Sequence, residues 1–407
     1  MKKFVNAAIR PTAALLMAAC MSAVLAGCSG KEDPRPKYIF YFLGDGMGNS
    51  QIAAAESYLS YKQGKFGGEQ LFFTTLPCTG FVSTYSADHQ VTCSSAAATA
   101  FSSGVKTNNG YIGVDPDGRP VRTVSMDLHD EGYKIGIMSS VAVNHATPGA
   151  YYGHNLSRRN YYEISMDLPA SGYEFFGGLG FLEFYGKAGD KESTSAVLER
   201  AGYKVCYGEK EFRDNMDDCG HIILCQDRYR DKSTGDIPLT DSTYVTLAEM
   251  LKLNLEYFGD DKPFFIMCEG GEIDSYAHAN EVMPMVQAIL RFDDAVKVAY
   301  DFYLKHPDET LIVVTADHET GGITIGAGFD QSYAPQKWDV LESRRTDGMT
   351  AEEKRGFEWE NGIGWTTGGH TGAPVPVFAT GKGAERFIGR IDNTDIPSKL
   401  VGKTSGK

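Results

Sequence analysis

The chain has 407 residues, 42% of them hydrophobic and 23% charged, enough apolar material for one large core or two ordinary ones. Its net charge is −14, from 53 acidic and 39 basic residues, and it has no lysine-arginine block, which argues against a nucleic-acid partner. A small anionic substrate stays open, because bound divalent cations reverse the local field.

The chain starts with Lys2, Lys3 and Arg10 and then an apolar stretch from Thr12 to Ala26. At about 15 residues this stretch is short for a bilayer span and suits a signal peptide. It ends in Leu25-Ala26-Gly27-Cys28, which resembles the lipobox of bacterial lipoproteins, where the cysteine is lipidated and becomes the mature N-terminus. Residues 1–27 are therefore expected to be a signal peptide, Cys28 the lipid site and residues 28–37, with Pro34 and Pro36, a tether. The protein is then expected to be exported and anchored to a bacterial membrane, facing the periplasm or the cell surface.

From residue 38 onward, strand-like apolar runs alternate with helical patterns. The strands are expected at Tyr38–Leu43, Lys134–Ser139, Pro263–Cys268, Thr310–Thr315 and Val375–Ala379, and helices at Ser50–Gln63 and Val282–Tyr303. Such strands are apolar on both faces, as in a sheet covered by helices on both sides. The expected fold is α/β: a single large domain over 38–403, with a mostly parallel central sheet of roughly eight to ten strands. Residues 326–365, charged and carrying Trp338, Trp359 and Trp365, interrupt the alternation and read as an insertion near the site mouth. Among six further cysteines, Cys206, Cys219 and Cys225 lie close enough in sequence for a local disulfide in an exported protein. No CxxC pair is present, which argues against a thiolate zinc cluster.

Residues able to bind metal fall just past the strands. Asp45 follows the first, His145 and Thr147 the second, Glu269 and Asp274 the third, and Asp317 and His318 the fourth. In an open parallel sheet these positions lie at one edge, where sites form. One aspartate after a strand is weak evidence, because it can cap a helix; four strands together point to a shared metal site. Asp274 and His278 are four apart, so a helical turn puts both on one face. His370 lies between glycines in Gly368-Gly369-His370-Thr371-Gly372, which lets backbone approach a ligand. Glu272 reads as a solvated carboxylate. Ser94, in Thr92-Cys93-Ser94-Ser95-Ala96-Ala97-Ala98-Thr99, is the candidate nucleophile at the start of a small-residue helix whose N-terminus suits an anion, with Cys93 and Ser95 as rivals. The proline and arginine that a sulfatase would need after the nucleophile are missing.

These motifs, with Ser157-Arg158, appear in an order that resembles the alkaline phosphatase family from about Tyr38 to Gly381. The resemblance implies hydrolysis of phosphate monoesters through a phosphoserine at Ser94. It implies one zinc ion held by Asp274, His278 and His370, and a second by Asp45, Asp317 and His318. It implies a magnesium ion held by Asp45, Thr147 and Glu269, with Arg158 gripping two phosphate oxygens. Three positions depart from the pattern. Cys93 replaces an aspartate that steadies the arginine in many members. His145 stands where some bacterial members have aspartate, leaving magnesium or zinc for the third site. Ser275 stands where some have lysine. A diesterase of the same superfamily and a non-catalytic metal-binding lipoprotein are the rival readings. Arg158, Thr147 and Glu269 argue against the first, and Ser94 against the second. The oligomeric state stays open, a homodimer included.

Replacing Cys28 by alanine should release the protein from the membrane pellet while leaving activity per molecule near normal. Stable anchoring needs two or more acyl chains, and a lipoprotein's lipidated cysteine supplies them. Retention of the variant in the pellet would remove Cys28 as the lipid site.

Overall fold

In a computed structural model, residues 35–234, 244–326, 336–344 and 348–402 are described. The signal peptide, Cys28 and most of the tether lie outside them. Apolar runs without internal polar residues become central strands: Tyr38–Gly44, Phe264–Gly270 and Thr310–Thr315 are buried along their whole length. Ten strands among the described residues form one sheet. From one edge they run Gly389–Asp392, Cys78–Ser83, Val375–Gly381, Thr310–Thr315, Tyr38–Gly44, Phe264–Gly270, Lys134–Ser139, Phe175–Gly178, Ile222–Cys225 and Lys204–Tyr207.

All neighbours pair in parallel except Val375–Gly381, which runs against both of its neighbours. Its direction follows from its start. Only Gly372, Ala373 and Pro374 separate it from the His370–Thr371 strand, which pairs with Glu319–Thr320 just past the carboxyl end of Thr310–Thr315. The strand therefore begins at that edge and must run back through the sheet.

Helix Val282–Tyr303 buries Val282, Met285, Val286, Ile289, Phe292, Val296 and Ala299, the three-and-four spacing of a helix stripe facing a core. Phe292 meets Phe42 of the first strand edge-on at 5.8 Å and Phe73 at 5.9 Å. It also lies against Gly270, the last residue of strand Phe264–Gly270, so close that a Cβ there would sit 2.7 Å from its ring. This stacking supports the end of the strand that carries Glu269.

The insertion serves two places. Helix Gln336–Ser343 buries Trp338 against Tyr58 of helix Asn49–Lys62 at 5.5 Å. Strand Ile363–Trp365 pairs antiparallel with Ile323–Ile325, and Trp365 Nε1 donates to the buried Glu358 carboxylate of helix Ala351–Glu360. Burial pushes Glu358 up to about 7. From Trp365 the chain leads into the loop bearing His370. Residues 327–335 and 345–347 of the insertion lie outside the described residues.

The expected disulfide is not formed: Cys78, Cys93, Cys206, Cys219, Cys225 and Cys268 are all free. Cys206 and Cys225 sit on adjacent parallel strands one residue out of register, with Cys206 opposite Leu224 and Cys225 opposite Tyr207. Their side chains therefore project from opposite faces of the sheet. The Cys219 thiol donates to the Asn215 carbonyl instead.

Phe292→Ala should lower the unfolding free energy by about 3–5 kcal/mol, the usual cost of emptying a buried phenylalanine site. Denaturant titration of the metal-loaded protein measures it; a loss below about 1 kcal/mol would mean the site collapses without strain.

Candidate metal centre and active site

The strand ends bring the sequence candidates together. Glu269 sits opposite Leu43 and Ser139 on the flanking strands, and Asp45 follows the first strand. Asp317 and His318 follow Thr310–Thr315. Helix Glu272–His278 starts two residues after Gly270 and turns Asp274 and His278 to one side, with His278 Nε2 3.2 Å from Asp274 Oδ2. Cys93 occupies the N-cap of helix Ser94–Ser103, so Ser94 is its first residue. Buried alanines at 96, 97, 98 and 100 let that helix pack tightly beneath the site. Ser94 Oγ lies 3.2 Å from His318 Nε2, and Arg158 Nη1 donates to it at 3.4 Å.

The side chains form three overlapping groups, each with ligand atoms within 4.8 Å of one another: Asp274 with His318 and His370, Asp45 with Asp317 and His318, and Asp45 with His145 and Glu269. His278 joins the first group, its Nε2 standing 3.0 Å from His370 Nε2. Each of three imidazoles is fixed through its other nitrogen. His278 Nδ1 meets the Gly368 carbonyl at 2.7 Å, His370 Nδ1 the Thr92 carbonyl at 2.8 Å and His318 Nδ1 the Thr320 hydroxyl at 3.1 Å. Donation from Nδ1 leaves the Nε2 lone pair free in every case. Two such nitrogens 3.0 Å apart suit a cation held between them, a metal ion or a shared proton.

The carboxylates say the same. Asp45 Oδ1 and Oδ2, Asp317 Oδ2, Glu269 Oε1, His145 Nδ1 and the Thr147 hydroxyl are buried without a hydrogen-bond partner. Burial and then neighbouring acids push Asp45 up, and Asp317 to about 8. Burial also pushes Glu269 to about 7, while the Ser139 hydroxyl, which donates to Oε2, pulls it back. Burial works to raise Asp274 too, but the close contact with His278 and the imidazoles of His318 and His370 outweigh it and hold it low. Burial, with Arg158 second, drives His145 down to about 3. Orphaned acceptors that titrate this far from their ordinary range fit a site built for divalent cations.

Glu272 is not the solvated carboxylate expected from its sequence. It is 4% exposed, pairs with Arg291 at 2.9 Å and faces the Tyr244 hydroxyl at 3.4 Å. The first turn of its helix points inward onto helix Val282–Tyr303, and Arg291 lies 19 positions away, beyond any local pattern. Thr320 is a further member of the site that the sequence does not single out. Its hydroxyl donates to Asp274 Oδ1 at 2.5 Å while serving His318, so it ties two groups together. Its place two residues after His318 is the one local signal for it. Gly46 turns the chain past Asp45 at φ +72°, and a Cβ there would sit 2.9 Å from both Asp274 Oδ1 and Thr320 Oγ1.

The family model described as alkaline phosphatase matches residues 36–176 and 233–404. The chain belongs to the alkaline phosphatase family. Alkaline phosphatase 3 of Bacillus subtilis is 31% identical, over 89% of this chain and 88% of its own. The alkaline phosphatase of the Antarctic bacterium TAB5 superposes with a TM-score of 0.72 at 30% identity, over 90% of this chain and 97% of its own. Variants of the TAB5 enzyme with a histidine changed to glutamate or aspartate are described with magnesium in their M3 site. The Thermus thermophilus alkaline phosphatase shares the fold, with a TM-score of 0.75 at 23% identity. Like these relatives, the chain is a phosphatase enzyme.

In this alkaline phosphatase, Cys93 does not reach the arginine. Its thiol accepts from the Gly110 amide at 3.1 Å and lies 3.1 Å from the Ser95 hydroxyl. Among the described residues no carboxylate forms an ion pair with Arg158; its backbone amide is held by the Gly110 carbonyl at 2.7 Å.

Gly46→Ala should strain the turn and push Asp274 and Thr320 off their positions, weakening metal retention by more than about tenfold. Elemental analysis after dialysis against graded chelator reads this out. Retention equal to the wild type would show that the turn tolerates a side chain.

Proposed function

We propose that the protein hydrolyses phosphate monoesters to an alcohol and inorganic phosphate, with Ser94 as nucleophile and a phosphoserine intermediate. The observation that carries this reading is the position of Ser94 Oγ, at the first residue of a helix, 3.2 Å from His318 Nε2 and within reach of Arg158. His318 Nδ1 is held by the Thr320 hydroxyl, so its Nε2, beside Ser94 Oγ, is left for the ion it would help to hold, and the serine hydroxyl stands where such an ion would favour loss of its proton. The first amides of helix Ser94–Ser103 have no intrahelical partner and can bind non-bridging oxygens of the transferred group. Arg158 presents a planar fork to two such oxygens. In the first displacement the Oγ–phosphorus bond forms as the ester bond breaks and the alcohol leaves; in the second, water attacks phosphorus and frees Ser94. A monoester dianion presents more charge and one more free oxygen to this arrangement than a diester does.

Asp274, His278 and His370 would hold one zinc ion, and Asp45, Asp317 and His318 a second. Nitrogen and carboxylate donors without thiolate suit that metal. Asp45, Thr147 and Glu269 would hold magnesium through hard oxygens, with His145 the nitrogen that would favour zinc there instead. When bound, such ions activate oxygen nucleophiles and stabilise leaving oxygens. The TAB5 variants support treating His145 as the residue that sets the third site's metal. Export and lipid anchoring at Cys28 complete the reading. They are supported by the basic start, apolar stretch and Leu25-Ala26-Gly27-Cys28 ending. No helix among the described residues is long and apolar enough to cross a membrane.

Ser94→Ala should lower turnover of a chromogenic phosphate monoester by at least about a thousandfold. Cys93→Ala and Ser95→Ala should cost far less; a Cys93 variant as inactive as the Ser94 variant would overturn the nucleophile assignment.

Chelation should remove activity, and zinc with magnesium should restore it. In His145→Asp the reconstituted enzyme should respond to magnesium at lower concentration, because a carboxylate favours that ion over imidazole. A magnesium titration unchanged between variant and wild type would take His145 out of the third site.

A further inference from the structure

A cavity of about 600 Å³ opens beside the nucleophile, walled by Cys93, Asn109, Ser157, Arg158, Arg159 and Tyr161. Its walls are held in place. Asn109 accepts from the Cys93 amide at 3.0 Å and donates to the Val91 carbonyl at 3.0 Å. Residues 157–160 form a turn in which the Asn160 amide donates to the Ser157 carbonyl at 3.1 Å and the Arg159 amide to the Ser157 hydroxyl at 3.3 Å. Asn160 then spends its side chain on Asn155 at 2.8 Å, so helix Tyr161–Ser171 begins at the cavity wall without a side-chain cap on its amides.

Arg159 is exposed, and among the described residues its guanidinium forms no hydrogen bond or ion pair. By contrast Arg119, Arg122, Arg200, Arg213, Arg230 and Arg291 each hold a carboxylate, although Arg344, Arg355 and Arg390 also form no ion pair among the described residues. The acid of the neighbouring helix turn, Glu163, does not reach it. Two adjacent guanidinium groups, one of them reaching Ser94 Oγ, thus share one cavity wall with uncapped helix amides and no compensating acid. The arrangement exceeds what one phosphoryl group requires. A net positive wall of this kind recruits anions even on an acidic protein.

We infer that Arg159 binds a second anionic group, a carboxylate or a further phosphate, carried on the alcohol part of the monoester. Arg159 is thereby a specificity-determining residue that favours doubly anionic monoesters over those with a neutral alcohol. This rests on the reading of Ser94 and Arg158 as the phosphoryl site. An exposed arginine contact is partly screened, so the preference is modest and falls as salt rises.

The test uses the zinc- and magnesium-loaded enzyme with a carboxyphenyl phosphate and its uncharged carboxamide analogue. The ratio of their kcat/KM values should drop about three- to tenfold in Arg159→Ala, further in Arg159→Glu, and less in Arg159→Lys. Raising ionic strength should lower the ratio in the wild type and leave it flat in Arg159→Ala. A ratio unchanged in both Arg159→Ala and Arg159→Glu, or equal losses on both esters, would overturn the inference. Calorimetric binding of a carboxypropylphosphonate against propylphosphonate gives a readout without turnover. If neither ester were hydrolysed, the phosphatase reading would fall, while the phosphonate pair would still decide whether Arg159 selects a second anion.

Discussion

Three carboxylates with almost no access to water, those of Asp45, Glu269 and Asp317, converge with Asp274 at the carboxyl edge of the sheet. Their charges cannot coexist in a dry site without compensation. Among the described residues no lysine lies in the cluster and Arg158 is the guanidinium that acts on it, so the acids can stay charged together only with further positive charge, which bound cations would supply. Much of the surrounding architecture works to hold these acids together against their repulsion. The central strands are apolar throughout, which fixes where each chain segment emerges at the edge, and Phe292 backs the end of the strand carrying Glu269.

A second layer of contacts turns proximity into coordination geometry. Carbonyls of Thr92 and Gly368 and the hydroxyl of Thr320 each hold an imidazole by Nδ1, so the three Nε2 lone pairs face inward. Such partners commonly tune metal affinity by tenfold or more. The buried Glu272–Arg291 pair anchors the helix that bears Asp274 and His278. Removing one partner would leave an uncompensated charge behind that helix. Glu319 links the Gln51 side chain to Thr371, next to His370, so the helix after the first strand and the His370 hairpin are tied to one carboxylate.

The side of the site proposed to take the phosphoryl group is built more sparely. Cys93 stands at the N-cap of the Ser94 helix and bonds to Gly110 rather than bracing Arg158, whose side chain contacts Ser94. Arg158 is positioned by its backbone amide on Gly110 and by the turn that also presents Arg159. An arginine free of a fixed acid partner keeps its full charge for the substrate, at the cost of looser orientation.

Much of this architecture is legible in the amino-acid sequence. Strands Lys134–Ser139 and Thr310–Thr315 and helix Val282–Tyr303 agree with their expected bounds, because unbroken apolar runs and three-four spacing are local signals. The metal-competent residues are legible because each follows such a strand. The direction of strand Val375–Gly381, the burial of Glu272 and the free state of Cys206 and Cys225 are not. Each depends on a partner distant in the chain: the His370 hairpin, Arg291, and a register that sets two cysteines on opposite faces. The sequence by itself determined which residues are apolar, which can ligate metal and where helices and strands begin, since these follow from side-chain chemistry and short-range periodicity. Only the tertiary structure decided which candidate ligands lie together, which nitrogen of each imidazole faces inward and that Arg158 has no acid partner among the described residues, because those depend on distances between segments that the chain separates by tens to hundreds of residues.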